Sequence, residues 1–322
     1  LLQGLMVPLC TYIILAVSLN LVVGILGELS LGHAGFMCVG AFTSAFFSKC
    51  TRDVIASDGL RFFLALLIGI VTAAIFGMLI GIPVLRLKGD YLAIVTLAFG
   101  EIIKNMVNVL YIGKDSKGFH VTTKDVMALN MDADGTVILN GPQGITGTPK
   151  NSTFVIGFIL ILLTLFIVQN LINSRDGRAI MAIRDNRIAA ESIGINITKY
   201  KLMAFTISAA MAGAAGVLYA HNISTLTANT NNFGYNMSIT ILVFVVLGGI
   251  GNIRGSIIAA VILTLLPELL RGMKDYRMLI YAIVLIVMML FNWSPKAIEW
   301  REKLNDWRKK HFSFGKKAKE VE

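Results

Sequence analysis

Charged residues are scarce in this sequence. Asp, Glu, Lys and Arg make up 15% of the 322 residues, hydrophobic residues make up 56%, and the mean hydropathy is +0.73. A soluble domain carries about 25% charged residues. The apolar residues also fall in runs long enough to cross a hydrocarbon core about 30 Å thick. These features exclude a soluble enzyme, a nucleic-acid-binding domain and a secreted disulfide scaffold, and they predict a polytopic helical membrane protein.

The sequence also lacks the motifs of common catalytic and metal sites. It contains no G-x-x-x-x-G-K-[ST] phosphate loop, no H-E-x-x-H and no G-x-S-x-G. Its three cysteines have no metal-ligand spacing, and its four histidines are scattered. We therefore predict no catalytic residue, no metal site and no cofactor on this chain, and we expect it not to be an enzyme.

Nine apolar segments are predicted to span the membrane as helices, so the predicted fold class is all-α. They are 5–26, 29–48, 62–82, 91–111, 154–172, 202–220, 236–250, 256–270 and 278–293. Because the sequence does not begin with Met, a further helix is expected before it. We assign 1–295 to a transmembrane domain and 296–322 to a basic cytoplasmic tail.

Two stretches of the sequence contain many glycines. Segment 29–48 holds small residues throughout, which favours close packing in lipid or a broken helix. Segment 247–260 has a similar character. The pair indicates either inverted repeats around a central pathway or merely the general frequency of glycine in membrane helices.

The basic residues define an orientation. The net charge is +10, and cytoplasmic loops of membrane proteins collect Lys and Arg. With nine spans, 18 basic residues lie on the side of loop 173–201 and the tail, and 10 lie on the other side. We therefore predict that loop 173–201 and the C-terminus are cytoplasmic and that loop 112–153 is external.

Few ionisable residues fall inside the predicted spans, so each one is informative. Glu101 and Lys104 lie three residues apart on one helix face. They either line a polar path or form a buried ion pair. Glu28 and His33 flank segment 29–48 and are candidates for a water-filled vestibule, although a packing role is also open for His33.

The predicted cytoplasmic loop carries the strongest local signal. It contains Arg178, then Ala190 and Glu191, and then Gly194, which is placed to end a short helix. Ala190 is expected to offer a small surface to a partner. Such a helix suits a separate soluble subunit, and the alternative is a solvated basic connector.

The sequence resembles the branched-chain amino acid ABC-importer permeases of the M type. The similar segments are collinear and reach to about residue 295. They are GRAIMAIRDNRIAAESIGINITKYKLMAFTISAAMAGAAGVLYAH (177–221), SLNLVVGILGELSLGHAGFMCVGA (18–41), RLKGDYLAIVTLAFGEIIKN (86–105), GPQGITGTP (141–149) and VVLGGIGNIRGSIIAAVILTLLPELLR (245–271). The tail at 296–322 departs from the resemblance.

This resemblance implies a permease in a bacterial cytoplasmic membrane that forms the pathway for branched-chain, small apolar amino acids. It implies a homologous H-type permease, two cytoplasmic ATPase subunits and an external substrate-binding protein as partners, with no nucleic acid. Ala190, Glu191 and Gly194 match the pattern that such permeases present to their ATPases, and Asp90 and Tyr91 match a Gly-Asp-Tyr that opens a membrane helix. The alternatives are a related importer for urea, short amides or aromatic acids, and an ion-coupled secondary transporter.

Overall fold

The computed structural model describes residues 2–52, 54–87, 89–132, 135–270 and 277–293, and these residues are mostly helical. The long helices are α1 (Leu2–Asn20) with its π-helical continuation Leu21–Leu26, α2 (His33–Cys50), α3 (Asp58–Val84), α4 (Asp90–Val109), α5 (Phe154–Asn173), α8 (Ile197–Ala220), α10 (Tyr235–Gly248), α11 (Ile253–Leu269) and α12 (Arg277–Trp293). The short helices are α6 (Arg175–Asp185), α7 (Arg187–Ser192) and α9 (Thr230–Phe233).

Six helices among the described residues are long and apolar enough to cross a membrane. They are Gly4–Leu26, Asp58–Val84, Tyr91–Val109, Phe154–Asn173, Ile197–Ala220 and Thr230–Gly248. Three more of the predicted spans coincide with α2, α11 and α12, which have 18, 17 and 17 residues and are not among these six. The structure therefore supports a multi-pass helical protein, while the predicted count of nine spans is not confirmed.

Helices α2, α3 and α8 pack closely because glycines face one another. A Cβ on Gly40 would overlap the backbone of Gly213 in α8, and one on Gly213 would overlap the carbonyl oxygen of Gly69 in α3. Small residues allow such close approach in lipid, where packing contributes much of the attraction between helices. The predicted burial of segment 29–48 is confirmed, since most of α2 is buried.

The first span and α2 are separated by a break in the helix. The π-helix ends at Gly27, which adopts the left-handed φ of 78°. Residues 27–32 are not helical, and α2 begins only at His33. The segment predicted at 29–48 is therefore interrupted at its start.

A second break separates α10 from α11 and lies against the end of the first span. Gly249 and Gly251 have φ values of 94° and 82°. The Asn20 side chain bridges this break, because its Oδ1 accepts a hydrogen bond from the Gly251 N–H at 2.9 Å and its Nδ2 donates to Ser256 Oγ at 2.9 Å. Asn20 thus holds two helices together, while an inverted repeat stays a prediction.

The prediction of an all-α fold is wrong for the segment that follows α4. β1 (Tyr111–Asp115), β2 (Gly118–Thr122) and β3 (Thr136–Asn140) form an antiparallel sheet in the order β2-β1-β3. β4 (Ile145–Thr146) pairs with β5 (Thr225–Leu226). These strands are too short to register as apolar runs, and alternating β-branched and aromatic residues such as those of β2 favour a strand.

The chain divides into two compact units, 1–264 and 265–322. The first contains α1 to α10, the sheet and most of α11, and it holds every site described below. The second contains α12. The predicted tail at 296–322 lies outside the described residues.

Candidate functional site

The predicted cytoplasmic loop folds into two capped helices. Ser174 Oγ accepts from the Gly177 N–H at 3.0 Å and begins α6. Asn186 Oδ1 accepts from the Ala189 N–H at 3.0 Å and begins α7, and Asn196 Oδ1 accepts from Lys199 N–H at 3.1 Å at the start of α8. Side-chain caps of this kind satisfy N–H groups that lack a partner in the helix. The segment is thus ordered by its own sequence.

A small apolar cluster holds α6 and α7 against α8. Ile183, Ala190 and Ile197 are buried in it, with Ile195 and Tyr200 packed around them. The expectation that Ala190 offers a surface to a partner is therefore wrong, because only 2% of Ala190 is exposed. Its small side chain instead lets α7 lie close to its neighbours.

Two exposed isoleucines flank a carboxylate along α7 and at its C-cap. Ile188 and Ile193 are 81% and 75% exposed, and Glu191 between them is also exposed. Sequence reasoning missed both isoleucines, although apolar residues within an otherwise polar loop were the available signal. Gly194 adopts the left-handed φ of 85°, as its predicted role in ending the helix requires. We call Ile188, Glu191 and Ile193 the α7 surface.

Two arginines of α6 have different partners. Arg178 is exposed and donates to the Asn173 carbonyl oxygen at 3.1 Å, so it closes the junction with α5. Arg184 donates from Nη1 to the carbonyl oxygen of Gly24 in the π-helix at 3.0 Å. Sequence reasoning did not single out Arg184, since nothing in the loop reveals which distant carbonyl it reaches.

Glu28 and His33 have separate partners, and the vestibule expected beside them stays a prediction. Glu28 forms an ion pair with Lys201 near the start of α8, a residue that sequence reasoning missed. His33 is buried, and its Nε2 lies 2.8 Å from Ser208 Oγ, which donates to the Ser18 carbonyl oxygen. Since that serine hydroxyl already donates, the His33 Nε2 is the donor to it. Among the described residues, His33 Nδ1 has no hydrogen-bond partner.

Glu101 and Lys104 contact each other, with Lys104 Nζ 2.5 Å from Glu101 Oε2. Lys104 also lies 3.3 Å from Thr230 Oγ1, and Glu101 Oε1 accepts from the Tyr235 N–H at 2.7 Å. The pair therefore joins α4 to α9 and to the first turn of α10. A carboxylate at a helix N-terminus is favourable, so the geometry agrees with the ion-pair interpretation.

Asp90 and Tyr91 stand where α4 begins. Gly89 precedes them with a φ of 59°, and Asp90 is the first helical residue. Tyr91 is 71% exposed. The structure thus confirms that Gly-Asp-Tyr opens a helix.

A family model for the permease component of branched-chain amino acid transport systems matches residues 1–291. The chain belongs to this family. This permease is 37% identical to the high-affinity branched-chain amino acid transport system permease protein LivM of Salmonella typhimurium, over 89% of this chain and 67% of that protein. It is 34% identical to LivM of Escherichia coli over the same shares, and 25% identical to LivH of Escherichia coli over 79% of each chain. No solved structure matched it.

These relatives are transport permeases and not enzymes, so the prediction of a transport subunit is confirmed. Within the described part of the permease, no group of three or more His, Cys, Asp or Glu residues is placed to hold a metal ion.

The permease contains a cavity of about 630 Å³ between α2, α3, α4 and the sheet. Its lining is almost entirely apolar, with Phe42, Phe46 and Met106 among its walls. Two lining hydroxyls, those of Thr43 and Thr72, lie 3.0 Å apart and also donate to their own helices. A charged ammonium or carboxylate buried there would lack partners, which is costly. The cavity alone is therefore unsuited to a whole zwitterionic amino acid.

Proposed function

We propose that this permease forms part of the membrane pathway of an ATP-driven importer for branched-chain amino acids. The substrate class rests on the family and on the similarity to LivM. The observation that carries the mechanism is the α7 surface on an ordered, capped segment. Ion-coupled transport is the alternative mechanism, and it would need no soluble partner at α7.

The α7 surface suits a protein partner for physical reasons. Exposed apolar side chains next to a charged group are typical of interaction sites. The cluster of Ile183, Ala190 and Ile197 packs α7 against α8. A displacement of α7 by a partner is therefore transmitted to α8. In our proposal two cytoplasmic ATPase subunits drive the importer, and one of them binds this surface. ATP is then bound by the partners, and this chain carries no cofactor.

The remaining parts of the proposed assembly follow from the family. A homologous H-type permease completes the pathway, consistent with the similarity of this chain to LivH. An external substrate-binding protein delivers the amino acid. The permease lies in the bacterial inner membrane, with α6, α7 and the C-terminus in the cytoplasm and the β1–β3 sheet outside, in keeping with the excess of basic residues on the first side.

The test is uptake into proteoliposomes that contain the permease with its partners. We expect ATP-dependent uptake of labelled leucine that unlabelled isoleucine and valine compete away. Competition instead by urea, short amides or aromatic acids would assign one of the related substrates. Uptake that follows an ion gradient without ATP would refute the proposed mechanism.

The docking step has its own variants. Ile188→Asp and Ile193→Asp place a charge on the α7 surface, and we expect each to reduce ATPase co-purification at least about tenfold, as loss of a central apolar contact does at interfaces. Thr198→Asp is the matched control, because Thr198 is exposed in the first turn of α8, outside the α7 surface. Full co-purification in both isoleucine variants would refute docking at α7.

A further inference from the structure

The end of the first span is a wide helical turn attached to three neighbours. Leu21–Leu26 is π-helical and buried, and the N–H groups of Gly27 and Glu28 both reach back to the Val22 carbonyl oxygen. Carbonyls in the last turn of a helix have no donor within it. Short π-helical turns are frequent at functional sites.

The carbonyl oxygen of Gly24 receives its donor from α6. Arg184 Nη1 donates to it at 3.0 Å, while Nε and Nη2 of the same guanidinium hold the Asp185 carboxylate at 3.0 and 2.9 Å. The aliphatic stem of Arg184 lies over Gly27, where an added Cβ would be 2.6 Å from Arg184 Cγ. The side chain therefore fixes α6 to this turn through both a hydrogen bond and close packing.

The same turn contacts two other parts of the permease. Gly24 packs closely on Gly251, which lies in the break between α10 and α11. A Cβ added to Gly24 would overlap the main chain of Gly251. Glu28 is paired with Lys201 at the start of α8. A displacement of this turn must therefore act on both breaks in the helices, at 27–32 and at 249–252.

Residues 27–32 are not helical, and their backbone can change conformation when the π-helical turn is displaced. The helix that follows them cannot shift freely, since Gly40 is in contact with the backbone of α8. Gly27 and Glu28 bond back to Val22, and the Leu31 N–H donates to Thr96 Oγ1 at 3.0 Å, but no continuous helical ladder runs through 27–32. Hinges are short segments of this kind.

We propose that Arg184 is a positioning residue that carries the movement of α6 to the π-helical end of the first span. The inference rests on the proposed function, because the movement begins with ATPase binding at α7. Arg184 need not touch the partner or the substrate. Its role is to make the π-helical turn that ends at Gly27 follow α6, while the residues up to 32 change conformation.

The experiment is hydrogen exchange on the assembled importer with and without ATP. In the wild type we expect amides of 27–32 to change their exchange rate on ATP binding at least about tenfold, within the usual range of coupling between sites. In Arg184→Ala we expect that response to fall below about twofold, with ATPase co-purification unchanged and less leucine taken up per ATP hydrolysed. Arg184→Lys keeps the stem and one donor, so it should retain an intermediate response.

Arg175→Ala is the matched control, since Arg175 is an exposed arginine at the other end of α6. A normal ATP response in Arg184→Ala would overturn the inference alone. Loss of ATPase co-purification in Arg184→Ala would also overturn it, because Arg184 would then belong to the docking surface. If Arg184→Ala does not fold in the membrane, Arg184→Lys and the wild type decide: a full wild-type response in Arg184→Lys, or an unchanged exchange rate at 27–32 in the wild type, refutes the inference. Failure of the wild type to bind ATPases refutes the proposed function itself.

Discussion

Glu28 and Lys201 form an ion pair between the break after the first span and the start of α8, although 173 positions separate them in the sequence. The side chains are only 15% and 5% exposed. Such a pair stabilises the packing of the break against α8, because neither of these largely buried charges has another favourable partner among the described residues.

We predict that removing one charge of this pair is worse than removing both. Glu28→Gln or Lys201→Met leaves a largely buried charge without its partner, which costs about 3–5 kcal/mol. The double variant should lose less than either single variant. The measurement is the thermal unfolding midpoint of the purified permease in detergent, with Lys199→Met, an exposed lysine of the same helix, as control. A double variant less stable than both singles would contradict the prediction.

Removing one charge of the Glu101–Lys104 pair should also be worse than removing both, but Glu101 has a second partner. Glu101 also accepts from the Tyr235 N–H, so Glu101→Gln keeps an acceptor at the start of α10, whereas Glu101→Ala does not. We expect Glu101→Ala and Lys104→Ala to reduce expression and uptake more than the double variant does. Glu101→Gln should fall between the wild type and Glu101→Ala. If the double variant were as stable as the wild type but lost uptake, Glu101 and Lys104 would instead have direct roles in transport.

Sequence patterns predicted the helices better than the contacts between them. Run length and hydropathy found the positions of α1 to α5, and the glycines of 29–48 indicated a buried, interrupted segment. The β1–β3 sheet was missed because its alternation extends over only five residues per strand.

The candidate site shows the same limit. Gly194 was predicted to turn the chain because a positive φ is a local property of glycine. Ala190 was misjudged because its burial depends on α6 and α8 packing around it. Arg184 and Lys201 could not be singled out, since their partners Gly24 and Glu28 are distant in the sequence and are brought near only by the fold.

The sheet should depend on pH through Asp115. Burial alone would raise the pKa of this carboxyl group. The carboxylate is favoured instead by three backbone N–H groups, those of Lys117, Asp132 and Gly118, and by the His120 ring. Together these hold the pKa of Asp115 below the ordinary 3.8. A lowered pKa in the folded state gives stability that is present above the unfolded value and is lost as the pH falls through the folded value. Amide protection in β1 and β2, corrected for intrinsic exchange, should therefore be constant above about pH 5 and fall below pH 3.8. Asp115→Asn should remove this dependence, and an unchanged profile in that variant would contradict it.

The orientation of the permease is testable with single cysteines in a cysteine-free background. Thr123→Cys lies in the segment expected outside, and Arg187→Cys lies in α7, expected inside. Arg187 is chosen rather than Asn186, because Asn186 caps α7. An impermeant maleimide should label position 123 in intact cells, and position 187 only after the cells are opened. The opposite pattern would reverse the predicted topology.

Docking at α7 should also depend on the two residues that give the α6–α7 segment its conformation, Ala190 and Gly194. Ala190→Arg puts a long charged side chain into the Ile183 and Ile197 cluster, so we expect it to displace α7. Gly194→Val forces a β-branched residue into a left-handed conformation, at a cost of about 1–3 kcal/mol. Both variants should insert in the membrane, gain protease cleavage within 187–195, and lose ATPase co-purification and uptake.

Conservative changes at the same two positions separate conformation from contact. Gly194→Asn tolerates a positive φ better than Val does, and Ala190→Ser adds only a hydroxyl, so both should keep most of the ATPase. Ile188→Asp should lose the ATPase without extra cleavage, because Ile188 lies on the α7 surface and not in the cluster. If Ala190→Arg and Gly194→Val kept normal cleavage patterns and normal co-purification, the ordered α7 would have no part in docking. Loop 173–201 would then be the solvated basic connector that its composition also allows.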